Sequence, residues 1–270
     1  MSEDNRHEMA KKRVVLRIDG TEDVVVRRDL PYGERAGATF RLYTPGGPEP
    51  GEPRPAVVFA SGYPDPGLQA MVGCRLQDMQ GYVDWARLVA ASGMAAVTYA
   101  NEEPVRDLGL VLSHLREHAG ALGIDASRLG LWAASGNVPA ALRAMMADGA
   151  VPIRCAALLY GYTLDLDGAD EVAKAQAQFQ FANPSAGRDI EDVRPGVELM
   201  LVRAGADAMP GINASIDRFA AAWVARDRPL VLCNHARAPH AFDLEDDREE
   251  SRRVIRDVMA FLAARLGVRA

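Results

Sequence analysis

The chain has 270 residues, of which 49% are hydrophobic, and its formal net charge is -6. That length and composition supply enough apolar surface for a sizeable core, and the acidic balance argues against nucleic acid or an anionic membrane as the main partner. The charged N-terminus is not typical of a secretory signal, and the longest apolar run, residues 88–100, is interrupted and too short to span a bilayer. Three widely spaced cysteines favour thiols in a reducing compartment over a disulfide framework or a zinc site. We therefore expect a cytoplasmic protein.

Strand patterns dominate the first part of the chain and then alternate with helical ones. Short runs rich in β-branched and aromatic residues predict strands at 24–26, 39–43, 56–60, 94–99, 128–133, 155–160, 197–202 and 230–233. Apolar residues at helical spacing predict helices at 82–91, 108–119, 136–146, 212–223 and 254–262.

This alternation predicts an α/β fold, with a mostly parallel central sheet and helices on both faces. The strand-rich start predicts an antiparallel N-terminal edge. We interpret residues 1–22 as a polar N-terminal extension and 23–270 as a single domain, with 164–196 as a small cap or loop insertion. Ligands of such sheets bind beyond the carboxyl ends of the strands, so the loops that follow those ends are where a site is expected.

The segment Ala-Ala-Ser-Gly occurs twice, at residues 90–93 and 133–136. Ser92 follows a predicted helix, whereas Ser135 follows a predicted strand and precedes a helix. The second order is typical of a nucleophile elbow (here residues 133–137), a tight turn that exposes the serine hydroxyl and aims the next backbone N–H, that of Gly136, at a developing oxyanion. The flanking residues are Ala133 and Asn137 rather than two glycines. A serine in this place would also serve as a simple helix cap.

A nucleophilic serine needs a base and an acid, which follow it in chain order at later strand ends. His240 lies after the predicted strand 230–233 and is the favoured base, with His235 as the rival closer to the strand. Asp207 lies after the predicted strand 197–202 and is the favoured acid. Asp165 is the rival acid, although its acidic neighbours are more typical of a solvated loop.

The second oxyanion donor is expected after the early central strand, in the segment Ser61-Gly62-Tyr63 (the oxyanion loop). We assign the backbone N–H of Tyr63, because Gly62 allows a close approach of the backbone. The same segment is also compatible with a plain turn.

These residues resemble the α/β-hydrolase superfamily and, within it, the dienelactone-hydrolase-like serine esterases. The resemblance runs from about Thr39 to the C-terminus and is carried by residues 59–63, 128–137, 203–207 and 239–242. It implies a Ser-His-Asp triad and ester hydrolysis with no metal and no organic cofactor. Ala133 and Asn137 depart from the family pattern, as does Ser61, where many members have His.

The sequence therefore predicts a serine hydrolase that cleaves a small-molecule ester, either a carboxylester or a lactone, through an acyl-enzyme. A peptidase or amidase, an acyltransferase and a non-catalytic binding protein on the same scaffold are the alternatives. Met71, Met79, Phe179 and Phe181 lie in the two least regular stretches, residues 68–81 and 164–196. They are candidates for an acyl pocket, and they equally suit loops that pack down as core.

Overall fold

The computed structural model describes residues 8–47, 52–146 and 151–268. Its centre is an eight-stranded sheet with the order β1-β2-β4-β3-β5-β6-β7-β8. The strands are β1 (Val25–Pro31), β2 (Thr39–Thr44), β3 (Arg54–Phe59), β4 (Ala95–Tyr99), β5 (Ile124–Ala134), β6 (Ile153–Leu159), β7 (Glu198–Ala204) and β8 (Leu230–His235). Strand β2 pairs antiparallel with both β1 and β4, and the pairs from β4 through β3 and β5 to β8 are parallel. The predicted mostly parallel sheet with an antiparallel N-terminal edge is confirmed.

The helices connect these strands. They are α1 (Asp65–Val72), α2 (Gln80–Ala91), α3 (Pro104–Glu117), α4 (Ala119–Leu122), α5 (Val138–Met146), α6 (Glu171–Phe179), α7 (Ile212–Val224), α8 (Phe242–Glu245) and α9 (Glu249–Arg265). Single 3₁₀ turns lie at Leu76–Asp78, Ser135–Asn137 and Ile190–Asp192. Helices α1 and α6 occupy stretches whose irregular sequence predicted no helix.

The core lies in two layers, one on each face of the sheet. Side chains from α3, α5 and α7 pack on one face, and side chains from α2 and α9 pack on the other. Neighbouring strand residues alternate between the layers: Val57 packs with the second group and Val58 with the first. Because both faces are covered, the central strands carry continuous apolar runs.

Part of the predicted N-terminal extension packs against the domain. Val14 and Leu16 are each only 4% exposed and belong to the core layer that contains α2 and α9. The Val15 N–H donates a hydrogen bond of 2.8 Å to the Asp243 carbonyl oxygen. Residues 8–22 therefore include core positions, while the domain boundary at residue 23 stays a prediction.

Within the described ranges, no helix combines the length and the apolar character needed to cross a membrane. The cap predicted at residues 164–196 contains α6. A small apolar cluster joins its buried residues Val172, Ala175 and Phe181 to Tyr162 and Ile212, which lie outside that range.

Candidate active site

Three predicted site residues meet at the carboxyl ends of parallel strands. Ser135 directly follows β5, Asp207 follows β7, and His240 follows β8. The Ser135 Oγ lies 3.0 Å from the His240 Nε2, and the His240 Nδ1 lies 2.7 Å from the Asp207 Oδ2. When Nδ1 carries its proton toward the buried Asp207 carboxylate, Nε2 is left as an acceptor for the serine proton. This arrangement suits nucleophilic catalysis.

The backbone of Ser135 is strained, with φ at +57°, in the left-handed region that non-glycine residues rarely adopt. Strain of this kind persists only where the surroundings enforce it. A Cβ added to Gly161, after β6, would lie 2.1 Å from the Val138 Cγ2 and 2.9 Å from the Ser135 carbonyl oxygen. The elbow is thus packed tightly against its neighbour, which holds the hydroxyl in place.

The second copy of the repeated segment has no such geometry. Ser92 caps the C-terminus of α2, and its Oγ donates a hydrogen bond of 2.9 Å to the Leu88 carbonyl oxygen. The strand-to-helix context, and not the four-residue motif, therefore distinguishes Ser135.

The oxyanion loop follows β3 and touches the elbow. A Cβ added to Gly62 would lie 2.4 Å from the Gly136 carbonyl oxygen, so the two backbones are in direct contact. The Tyr63 hydroxyl lies over Gly136, where an added Cβ would approach it to 2.5 Å. Neither the Tyr63 N–H nor the Gly136 N–H donates to an acceptor within the described part of the chain.

Comparisons with known proteins concern the fold of the chain. No protein-family model and no curated protein sequence matches the chain. Among solved structures it is similar to esterase LipW from Mycobacterium marinum, with 19% identity and a TM-score of 0.70, over 97% of this chain and 85% of that one. The fold is that of the α/β-hydrolases.

Two further structures support the same assignment. A bacterial heroin esterase is 15% identical with a TM-score of 0.67, over 95% of this chain and 88% of that one. The thermophilic esterase Est2 from Thermogutta terrifontis is 18% identical with a TM-score of 0.66, over 90% and 93% of the two chains. At these identities the likeness concerns the α/β-hydrolase fold alone, so the dienelactone-hydrolase-like subtype stays a prediction.

The rivals for base and acid are engaged elsewhere. His235 is 1% exposed, and its Nε2 lies 2.8 Å from the Ser251 Oγ in α9. The Asp165 carboxylate accepts hydrogen bonds of 2.8 and 2.9 Å from the N–H groups of Val172 and Ala173, in the first turn of α6. Both therefore stabilise local structure, which leaves His240 and Asp207 beside Ser135.

A cavity of about 690 Å³ opens beside Ser135 and His240. Its walls come mostly from α1, α2 and the segment between them, from the loop after β7, and from residues 239–245 after β8. Of the four candidates for an acyl pocket, Met71 and Met79 line this cavity, whereas Phe179 and Phe181 do not. Phe181 instead stacks on Tyr162, with ring centroids 5.2 Å apart, so it packs as core.

Few charged side chains line this cavity. Among the residues the structure describes, no lysine or arginine lines it, and both acidic lining residues are engaged: Asp243 accepts two hydrogen bonds, and Glu245 pairs with Lys12. Within the same ranges, no group of three or more metal-ligating side chains is suitably placed to hold a metal ion.

Sequence reasoning missed Asp243, which lies three residues after His240. Its Oδ1 accepts a hydrogen bond of 2.6 Å from the Tyr160 hydroxyl, and its Oδ2 accepts one of 2.7 Å from the Trp85 Nε1–H. Burial raises the pKa of this carboxyl above its ordinary range. The Tyr160 ring packs edge-on against the His240 ring, with centroids 5.1 Å apart. Asp243 therefore fixes the Tyr160 ring that packs against His240. Its partners Trp85 and Tyr160 are too distant in sequence for any local pattern to reveal them.

Proposed function

We propose that this α/β-hydrolase is a serine hydrolase that cleaves uncharged esters of small molecules. The observation that carries the proposal is the chain of contacts from Ser135 Oγ to His240 Nε2, at 3.0 Å, and from His240 Nδ1 to Asp207 Oδ2, at 2.7 Å, on a strained elbow. A helix-capping serine requires neither a base nor an acid behind that base. The esterases among the similar structures support ester hydrolysis as the reaction class.

In this mechanism His240 Nε2 takes the proton of Ser135 as Oγ bonds to the carbonyl carbon of the ester. The carbonyl oxygen becomes an oxyanion, which the N–H groups of Tyr63 and Gly136 stabilise. The tetrahedral intermediate collapses, the bond to the alcohol oxygen breaks, and His240 gives its proton to that oxygen. Water then attacks the acyl-enzyme with His240 as base, releasing the acid and restoring Ser135. Asp207 holds the imidazole tautomer and stabilises its charged form.

The cavity supports uncharged substrates. Its lining is mostly apolar, and within the described residues it includes no lysine or arginine that could pair with a substrate carboxylate. A buried charge without a partner is unfavourable by several kcal/mol, so we expect a neutral acyl group to be preferred at least about tenfold over a carboxylate-bearing one of equal length. Esters of p-nitrophenol with pentanoic acid and with glutaric acid, the latter carrying one free carboxylate, measure this preference. Equal kcat/KM values for the two esters would contradict it.

Covalent labelling tests the nucleophile. A fluorophosphonate probe reacts with an activated serine hydroxyl, forming an O–P bond and releasing fluoride. We expect wild type to be labelled and Ser135→Ala to remain unlabelled. Ser92→Ala is the matched control, since it changes the same residue in the other copy of the segment and should label like wild type. Folded wild type that stays unlabelled, or labelling of Ser135→Ala, would refute the proposal.

A further inference from the structure

Asn137 occupies an elbow position where the family pattern has a small residue. Its side chain is buried, with the residue only 4% exposed, and it makes three hydrogen bonds. Its Oδ1 accepts one of 2.7 Å from the Gly62 N–H. Its Nδ2 donates one of 2.7 Å to the Tyr82 hydroxyl and one of 3.0 Å to the Ala134 carbonyl oxygen. One amide thus ties together the elbow, the oxyanion loop and a wall of the cavity.

The backbone of Asn137 does not itself require a glycine. The residue is not among those with positive φ, and it lies in a 3₁₀ turn that leads directly into α5. The constraint at this position is instead the narrow space between elbow and oxyanion loop, where an added Cβ on Gly62 would come within 3.0 Å of the Asn137 Cα. The asparagine side chain fits beside this close contact because it hydrogen-bonds across it to the Gly62 N–H.

Both backbone polar groups of Gly62 are hydrogen-bonded, one in each of the two peptide units that meet at this residue. Asn137 accepts the N–H on one side of Gly62, and the Gly62 carbonyl oxygen accepts a hydrogen bond of 2.7 Å from the Ala182 N–H. The Gly62 carbonyl and the Tyr63 N–H belong to the same planar trans unit, so they point in opposite directions. Anchoring Gly62 at its N–H and its carbonyl therefore sets the direction of the Tyr63 N–H.

We propose that Asn137 is a positioning residue for the oxyanion hole, acting through Gly62 on the Tyr63 N–H. The inference rests on the proposed function of the site. Removing the amide leaves the buried Gly62 N–H without its acceptor and frees one of the two anchors of the oxyanion loop. The donor then moves relative to the oxyanion, while Ser135, His240 and Asp207 keep their contacts.

The test compares an ester with its thionoester, in which sulfur replaces the carbonyl oxygen. Sulfur is larger and a weaker hydrogen-bond acceptor, so the ratio of kcat/KM for the two substrates reports how well the oxyanion donors are placed. For Asn137→Ala we expect kcat for the ester to fall about 10²-fold, the loss typical of a displacement of about 1 Å, with a smaller change in KM. The preference for the ester over the thionoester should fall by about tenfold or more, since the thionoester gains less from the donor.

Asn137→Asp is the conservative variant. Burial favours the protonated form of the new carboxyl, so one oxygen can accept the Gly62 N–H while the other donates to the Ala134 carbonyl oxygen. The ester preference of this variant should therefore stay within about threefold of wild type. By comparison, loss of a correctly placed donor is worth about 10²-fold or more. This variant keeps the proposal testable if Asn137→Ala does not fold. An ester preference in Asn137→Ala equal to that of wild type, or a loss in Asn137→Asp as large as in Asn137→Ala, would overturn the role of Asn137.

The proposed function fails on a different result. If wild type hydrolyses no ester and reacts with no fluorophosphonate, the serine hydrolase assignment is wrong. If wild type is active and only the ester preference is insensitive to Asn137→Ala, the assignment stands and the positioning role is wrong.

Discussion

Gly62→Ala tests how closely the oxyanion loop is fitted against the elbow. The new Cβ would lie 2.4 Å from the Gly136 carbonyl oxygen and 3.0 Å from the Asn137 Cα. Both contacts are with backbone, so no side chain can rotate away to relieve them. An ordinary contact begins at about 3.4 Å, and the loop must therefore move by about 1 Å.

The expected loss follows from that displacement. A shift of about 1 Å in a group that acts on the reacting centre is associated with about a 10²-fold loss of rate. Overpacking of a close-fitting interior adds a destabilisation of about 1–3 kcal/mol. We therefore expect kcat for a p-nitrophenyl ester to fall about 10²-fold, because the Tyr63 N–H moves with the loop, and the melting temperature to fall by a few degrees.

The matched control is Gly67→Ala in α1. A Cβ added to Gly67 has no neighbour within 4 Å, and the residue does not line the cavity. Alanine is also the better helix former, so this variant should be as stable as wild type or slightly more stable, with an unchanged kcat. Wild-type kcat in a folded Gly62→Ala variant would refute the reasoning, since it would mean that the Tyr63 N–H does not act on the oxyanion.

Three further outcomes are expected. Asp207→Asn should lower kcat by about 10³–10⁴-fold, because an amide neither holds the His240 Nδ1 proton nor stabilises the imidazolium; a loss below about tenfold in steady-state kinetics would contradict this. Met71 lines the cavity and is 39% exposed, so Met71→Trp should fill cavity space without disturbing the core. This variant should lower kcat/KM for long esters more than for short ones. An equal loss of kcat/KM for long and short esters would contradict this. The Arg248 guanidinium lowers the pKa of Asp246 to about 2, so its contribution to the free energy of unfolding is present above about pH 4 and lost as the pH falls toward 2. Denaturant melts of wild type and Asp246→Asn across that range check this, and identical pH dependence would contradict it.

The sheet was predictable from sequence because its central strands are buried on both faces. Such strands are short continuous apolar runs, and β3 to β7 were found at their expected places with shifts of a few residues. Strand β1 is mostly exposed and extends from Val25 to Pro31, well beyond the apolar run that predicted it. Helices α1 and α6 are short, with eight and nine residues, and each buries only two apolar side chains, too few to establish a helical repeat in the sequence.

Some residues of the candidate site could be selected from sequence, and others could not. Ser135, Asp207 and His240 could be selected because each follows a predicted strand, and parallel strands bring such ends to one edge of the sheet. Asn137 could be identified only as a departure from a pattern, since its partners Gly62 and Tyr82 lie 75 and 55 residues away. Contacts across such separations depend on how the layers pack, and a local pattern carries no trace of them.

Under the proposed function, the order of the site residues along the chain sets when activity arises during synthesis. The oxyanion loop and the elbow lie within the first 137 residues, whereas His240 follows the edge strand β8, which pairs with β7. A nascent chain would therefore hold the proposed nucleophile without its base until all eight strands have been translated. Domains fold as units, and their N-terminal parts are made first. The first appearance of reactivity at Ser135 would therefore mark the moment at which this fold is complete.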